Sequence, residues 1–241
     1  MYFVLSDPHG RYQELKEILT YWNPQEQTLV LLGDIVDRGP SSLECLRLIM
    51  QLQEKGNVIT VDGNHEQLLC EWLEMKGNES FYYLEVFNNT IQSFFPDVSN
   101  VLQKYTKQRL ANVLRTMYQA ELSFIKNMLT YYETVQLLFV HGGYNLEPNW
   151  KVDAERDCKW IRQPFISGEN KTGKTIIFGH TPTENMHDTQ SNDIWISPCK
   201  TKIGIDGSCV YGGQLNAIVI SHSGKLIDTF SVKKKGYISN I

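Results

Sequence analysis

At 241 residues, with 41% hydrophobic and 21% charged side chains, the chain is long enough for one large α/β domain with a sizeable buried core. Its formal charge of -4 excludes a global attraction to nucleic acid or to an anionic membrane surface, so any grip on phosphate has to be local. The five cysteines, Cys45, Cys70, Cys158, Cys199 and Cys209, are odd in number, widely spaced and without a CxxC pair, which argues against a disulfide framework and a thiolate zinc site.

The opening apolar run is too short for the core of a secretory leader and lacks a basic flank. No stretch approaches the roughly 20 apolar residues that cross a bilayer. A cytoplasmic location is therefore expected. Residues 2–5 read as a strand, and 11–22 as a helix with Leu15, Ile18 and Leu19 at helical spacing. A buried strand follows at 29–32, then Pro40 suits the first turn of a helix over 42–53. Residues 58–61 form a third strand, and 66–76 a third helix closing at Gly77-Asn78. Such β-α-β-α-β order implies mostly parallel strands, whose ligand site lies beyond their carboxyl ends. Asp7, Asp34 and Asn64 fall there.

Residues 79–130 differ in character. Phe81, Leu84, Phe87, Ile91 and Phe94 recur at helical intervals, and the pattern resumes over 101–129 after Pro96. This is a helical insertion whose aromatics are expected to pack, with a rim or lid over the site as a further role. The chain then returns to strands at 135–140, 175–178, 194–196, 202–205, 214–220 and 225–231, with turns at Gly212-Gly213 and Ser223-Gly224. The shift from alternation to consecutive strands gives an α/β (α+β) class. We expect a single domain over 1–241, with two packed mixed sheets flanked by helices.

Four short segments carry chemistry. In Asp7-Pro8-His9-Gly10, Asp7 and His9 stand two apart just past a strand, so in extended backbone they share a side and hold one divalent ion. Asp-x-His alone is common in loops. Asp34, after Gly33, offers two oxygens that bridge two metals, and Arg38 of the Asp37-Arg38 pair offers a planar fork to a phosphate. The bland reading of that pair is a loop salt bridge. Asn64 offers a neutral oxygen to the second metal, and His65 points the other way, free for proton transfer. His141 and His180 each end an apolar strand beside glycine. Singly each reads as structural; joined to Asp34 and Asn64 they complete a second coordination sphere.

The ordered motifs DxHG, GDxVDRG, GNHE, HGG and GH resemble those of the metal-dependent phosphoprotein phosphatase family, within the calcineurin-like metallophosphoesterases. Ile205-Asp206-Gly207 and Tyr211-Gly212-Gly213 resemble the close of its bacterial branch, a group of serine/threonine protein phosphatases, so the likeness covers nearly the whole chain. The insertion is the part it constrains least. The resemblance implies a four-layer αββα sandwich. It implies that Asp7, His9 and Asp34 hold the first metal and that Asp34, Asn64, His141 and His180 hold the second. His65 is implied as general acid, oriented by Asp37, with Arg38 on the phosphate. Trp160-Ile161-Arg162 resembles the bacterial form of the element that supplies a second arginine, which makes Arg162 the candidate and Arg156 its rival. Pro8 departs from the usual branched aliphatic but removes no ligand.

An oxygen and nitrogen ligand set without sulfur suits Mn²⁺, Fe or Zn²⁺, and the resemblance favours two Mn²⁺ per chain. The implied reaction is direct, in-line attack on phosphorus by a metal-bridging hydroxide, with no serine or cysteine nucleophile in the motifs. The leading expectation is a serine/threonine protein phosphatase acting on phosphorylated protein or peptide. The alternative is a nucleotide pyrophosphohydrolase acting on dinucleoside polyphosphates; the presence of Asp37 leaves both open. A non-catalytic module is disfavoured because every expected metal position is filled, and a nuclease because no basic face exists. His187, His222 and the run Lys233-Lys234-Lys235 are expected to be solvated, Asp206 to hydrogen-bond backbone in a turn, and Tyr131 and Tyr132 to pack at a strand edge.

Overall fold

The structure, a computed structural model, describes residues 1–74 and 88–236. Its frame is a pair of five-stranded sheets. The first contains β1 (Tyr2–Leu5), β2 (Thr28–Leu32), β3 (Val58–Val61), β9 (Gln214–Ile220) and β10 (Leu226–Lys233), ordered β10-β9-β1-β2-β3. The second contains β4 (Tyr131–Glu133), β5 (Leu137–Val140), β6 (Thr175–Phe178), β7 (Trp195–Ile196) and β8 (Lys202–Gly204), ordered β4-β5-β6-β8-β7. Strands β1, β2 and β3 run parallel, as do β5, β6 and β8, while β9 pairs antiparallel with β1 and closes the chain back onto its first strand.

Period-two alternation assigns the faces. Tyr2, Val4, Val30, Leu32 and Val61 point inward with Leu137, Phe139, Ile177, Ile203, Ile218 and Ile220, forming the core between the sheets. Phe3, Leu5, Leu29 and Leu31 point the other way, onto helices α1 (Tyr12–Ile18), α2 (Ser42–Glu54) and α3 (Asn64–Glu74). Leu138, Val140, Ile176 and Phe178 face outward from the second sheet onto Trp150, Phe165 and the helix of residues Ala154–Trp160. The central parallel strands β1, β2, β3, β5 and β6 are thus buried on both faces, which explains why they read as continuous apolar runs. The expected two-sheet sandwich with helical outer layers is what folds.

The insertion breaks into separate helices: α4 (Asn88–Ser93), α5 (Val101–Lys104), α6 (Lys107–Met117) and α7 (Gln119–Lys126), with Ala154–Trp160 as α8. Asn100 in the left-handed region starts α5, and the Thr106 hydroxyl accepts the Arg109 N–H to cap α6. Ile91, Phe94, Leu110, Leu114, Leu122 and Ile125 all join the outer core, so these residues, Phe94 among the aromatics, pack as expected. Phe81, Leu84 and Phe87, and the expected end of α3 at Gly77-Asn78, lie outside the described residues.

Other boundaries differ. The strand expected from 135 begins at Leu137, because Thr134 turns the chain: its hydroxyl accepts the Leu137 N–H at 3.0 Å. Tyr131 and Tyr132 do not merely pack beside a strand; they form β4, paired antiparallel with β5. Pro40 precedes α2 rather than opening it. The run Lys233-Lys234-Lys235 is exposed, as expected, with Lys234 Nζ donating to the Val210 carbonyl at 3.0 Å and Lys235 paired with Glu17 at the surface. No described helix is long and apolar enough to cross a membrane.

Candidate active site

Five strands deliver the site from their carboxyl ends: β1 to Asp7, β2 to Asp34, β3 to Asn64, β5 to His141 and β6 to His180. The first three belong to one sheet and the last two to the other, so the site lies where the two sheets meet. Asp7, His9, Asp34, Asp37, Arg38 and His180 all have positive φ, between +42° and +77°. Left-handed backbone at non-glycine residues is unfavourable, and its concentration here marks a geometry held by its surroundings. Close approach also fixes the glycines. A Cβ on Gly63 would lie 2.2 Å from Asp34 Oδ1, so the β3 loop can pass this near only as glycine.

Each imidazole is aimed by its second nitrogen. His9 Nδ1–H donates to the Val36 carbonyl at 2.9 Å and His141 Nδ1–H to the Leu32 carbonyl at 2.7 Å, while His180 Nε2–H donates to the Trp160 carbonyl at 3.2 Å. A carbonyl accepts only, so the opposite nitrogen is the one turned toward the carboxylates. His9 Nε2 is 3.3 Å from Asp34 Oδ2, and His141 Nε2 is 3.3 Å from Asp34 Oδ1 and 3.1 Å from Asn64 Oδ1. Outer hydrogen bonds of this kind characterise metal-ligating histidines. Asp7 accepts the His180 backbone N–H at 3.0 and 3.2 Å, which ties the β1 loop to the β6 loop.

The electrostatics call for a cation. Burial, then the Asp206 carboxylate, push Asp7 well above the usual carboxylate range. Burial also opposes charge on Asp34, but His141, His65 and His9 outweigh it and hold Asp34 well below that range. Burial pulls His141 down, yet Asp34 and Asp7 lift it to about 10. Two oxygens and a nitrogen converge there, the donor set a divalent ion takes. Burial keeps His9 and His180 well below the ordinary imidazole value, in the neutral form that binds metal. Two clusters have donor atoms within 4.8 Å of one another: His9, Asp34 and His65, and Asp34, His141 and His180. Asp34 belongs to both, as a bridging carboxylate must. The first cluster contains His65 where the sequence places Asp7.

His65 stands in the first turn of α3, and its Nδ1–H donates to Asp37 Oδ2 at 2.6 Å, leaving Nε2 turned into the site 3.8 Å from Asp34 Oδ2. Asp37 is fully buried; burial raises its carboxyl against the pull of His65 and Thr90. Arg38 Nη1 donates to His9 Nε2 at 2.9 Å, so its guanidinium borders the His9 side. Arg162 reaches the opposite side, with Nη2 3.3 Å from the His180 carbonyl. Arg156 instead pairs with Asp157 at 2.8 Å on an exposed face, so the geometry brings Arg162 to the site and leaves its rival outside. Asp206 accepts the Ser208 N–H at 2.9 Å, the turn bond expected of it.

Three supporting residues escaped the sequence reading. Glu66 accepts four backbone N–H groups, from Asp34, Ile35, Val36 and Gly63, at 2.8–3.2 Å, and so clasps the β2 and β3 loops together. Burial nonetheless pushes its carboxyl up to about 7. The Thr90 hydroxyl accepts the Asp37 N–H at 2.8 Å and donates to Asp37 Oδ1 at 2.9 Å, with the Ser42 hydroxyl alongside. Glu66 stands inside a quoted motif, so its signal was available. Thr90 lies 53 residues from Asp37 and carries none.

Buried carboxylates and aimed imidazoles whose donor atoms converge in two clusters, with guanidinium groups on two sides, fit the site of a metal-dependent phosphoesterase. The chain belongs to the calcineurin-like phosphoesterase family, whose profile matches residues 2–225, and the family works with divalent metals in a dinuclear site. It is 26% identical over 233 residues to a bis(5'-nucleosyl)-tetraphosphatase PrpE (asymmetrical) of Bacillus velezensis, covering 89% of this chain and 86% of that one. A symmetrical bis(5'-nucleosyl)-tetraphosphatase of Baumannia cicadellinicola is 29% identical over 80% of this chain and 57% of its own length. A solved protein serine/threonine phosphatase from Saccharomyces cerevisiae, with similarity to human phosphatase PP5, superposes with a TM-score of 0.63 at 14% identity, covering 100% of this chain and 81% of that one. That likeness is one of fold.

Proposed function

We propose that this phosphoesterase hydrolyses dinucleoside polyphosphates, splitting a phosphoanhydride with water. The observation that carries this reading over phosphoprotein hydrolysis is the match, across most of both chains, to a bis(5'-nucleosyl)-tetraphosphatase. The second reading, a serine/threonine phosphatase, has support from the motifs and from a shared fold.

In this reading Asp7, His9 and Asp34 hold one ion, and Asp34, Asn64, His141 and His180 the other, with Mn²⁺ the first ion to test among those the oxygen and nitrogen donors accept. When bound, the pair supplies a water acidified to near neutral pH and positive charge for the phosphoryl oxygens. Arg38 and Arg162, on opposite sides, orient the phosphate chain and neutralise charge that grows in the transition state. His65 carries a proton at Nε2 toward the departing oxygen, while Asp37 holds the Nδ1 proton and stabilises the imidazolium. The low exposure of His65 and Asp37 keeps bulk water from competing for that proton.

The test compares kcat/KM of the Mn²⁺-loaded enzyme for a dinucleoside tetraphosphate and for a phosphothreonine peptide. Preference for the dinucleotide by at least tenfold supports the reading. Preference for the peptide overturns it in favour of the protein phosphatase.

A further inference from the structure

Two of the exposed aromatic side chains among the described residues border the site, and they do so on different sides. Tyr211 is 65% exposed and Trp160 38%. The Arg38 guanidinium lies over the Tyr211 ring at 5.1 Å from its centroid, and Arg38 in turn touches His9. One face of the ring is therefore backed by a cation, and the large residual exposure leaves its other face to solvent. The ring is held on a stiff turn. Tyr211 N–H and Gly213 N–H both donate to the Ser208 carbonyl, at 2.9 and 3.1 Å, and a Cβ on Gly213 would lie 2.1 Å from the Gly207 carbonyl oxygen.

Trp160 ends α8 on the His180 side. Its ring stands edge-on to the His180 ring, with centroids 6.4 Å apart, and its indole N–H donates to Gln67 Oε1 at 3.2 Å. That bond satisfies the polar edge and anchors the indole to α3. The contact that aims His180 comes from the Trp160 backbone carbonyl, not from the indole, so the side chain has no part in positioning that imidazole through hydrogen bonding.

We propose that Tyr211 and Trp160 are stacking platforms for the two nucleobases of a dinucleoside polyphosphate, with the phosphate chain crossing between them over Arg38, the metal ligands and Arg162. This rests on the function proposed above and deepens it. A flat aromatic surface accepts any base by its π-face. An arginine behind the ring adds to the attraction and orders the platform before the ligand arrives. Placing one platform against Arg38 and the other on the His180 side, where Arg162 reaches, matches a substrate with a base at each end and charge in the middle. Base selectivity is expected to be weak, because no base-edge donor or acceptor is needed for stacking.

The experiment measures the KM for a dinucleoside tetraphosphate with adenine at both ends, and the competitive Ki of inorganic tripolyphosphate, which has the same kind of phosphoanhydride linkage, one phosphate shorter and without bases. The proteins are the Mn²⁺-loaded wild type, Tyr211→Ala, Tyr211→Phe, Trp160→Ala and Trp160→Phe. Loss of a stacked base raises KM relative to Ki by about tenfold in each alanine variant, and phenylalanine preserves the ratio. An unchanged ratio in an alanine variant removes that platform, while dinucleotide turnover by the wild type leaves the proposed function standing. A wild type that cleaves the phosphothreonine peptide but not the dinucleotide overturns both together.

Discussion

At His65 two roles, acid and metal ligand, compete for the same side chain. Its ring lies within ligand distance of His9 and Asp34, yet its Nδ1 is committed to Asp37 at 2.6 Å. An orienting partner of this kind serves an acid and a metal ligand alike, so the metal content of a variant decides between the two roles. We expect His65→Asn to leave metal content, read by elemental analysis, near two ions per chain; loss of one ion makes His65 a ligand. The rate effect depends on the leaving group. A phosphothreonine alkoxide needs a proton badly, so its hydrolysis should slow by about 10²–10⁴. A nucleotide phosphate leaves as a stable anion, and dinucleotide cleavage should slow far less. At the same scale, Arg162→Ala should raise the KM and weaken inhibition by inorganic phosphate by roughly tenfold or more, since charge-assisted bonds to phosphate are worth about 1.5–3 kcal/mol. Arg156→Ala, on an arginine paired with Asp157 at the surface, should leave both constants within twofold. Equal effects of the two substitutions would reverse the assignment.

Between elements, the insertion reaches the chemistry through α4. Thr90 fixes both the backbone and the carboxylate of Asp37, whose φ of +77° is otherwise unfavourable. Thr90→Val keeps the shape and removes the hydroxyl. We expect kcat to fall roughly tenfold, the usual scale for an outer hydrogen-bond partner, with metal content unchanged. Thr90→Ser should recover most of the rate; failure of serine to do so assigns Thr90 to packing alone. This contact also shows where sequence reasoning stops. Asp7, His9, Asp34, Asn64, His141 and His180 were legible as candidates because each stands in a short motif at a strand end and the motifs form an ordered set; singly each was a weak signal. Thr90 has no motif, and its role exists only once α4 packs against α2. Strand β4 was hidden for a related reason. Tyr131, Tyr132 and Glu133 are too few to set a period, and only pairing with β5 makes them a strand. The parallel strands were plain because burial on both faces leaves an apolar run, whereas Val135, at 82% exposed, looked like the start of one and is part of the turn.

For the molecule as a whole, two sheets with separate hydrogen-bond ladders share a core on one side of the site and a set of ligands on the other. A species that binds the native state alone stabilises it by mass action, about 2.7 kcal/mol at 100 times its Kd. Chelation followed by Mn²⁺ titration should therefore raise the melting temperature by several degrees, in step with recovered activity. A flat melting temperature alongside recovered activity would mean that the fold gains nothing from the ions.

Asp34 comes from the first sheet, and His141 and His180 from the second, yet all three belong to one cluster. An ion held there is a rivet through both layers. Neither sheet can then fray at its carboxyl ends without surrendering ligands to the other, so openings that are independent in the bare protein become a single event. Amide hydrogen exchange should register this as a change of correlation: the ends of β2, β5 and β6, each with its own opening rate when metal is stripped, should exchange together when it is restored.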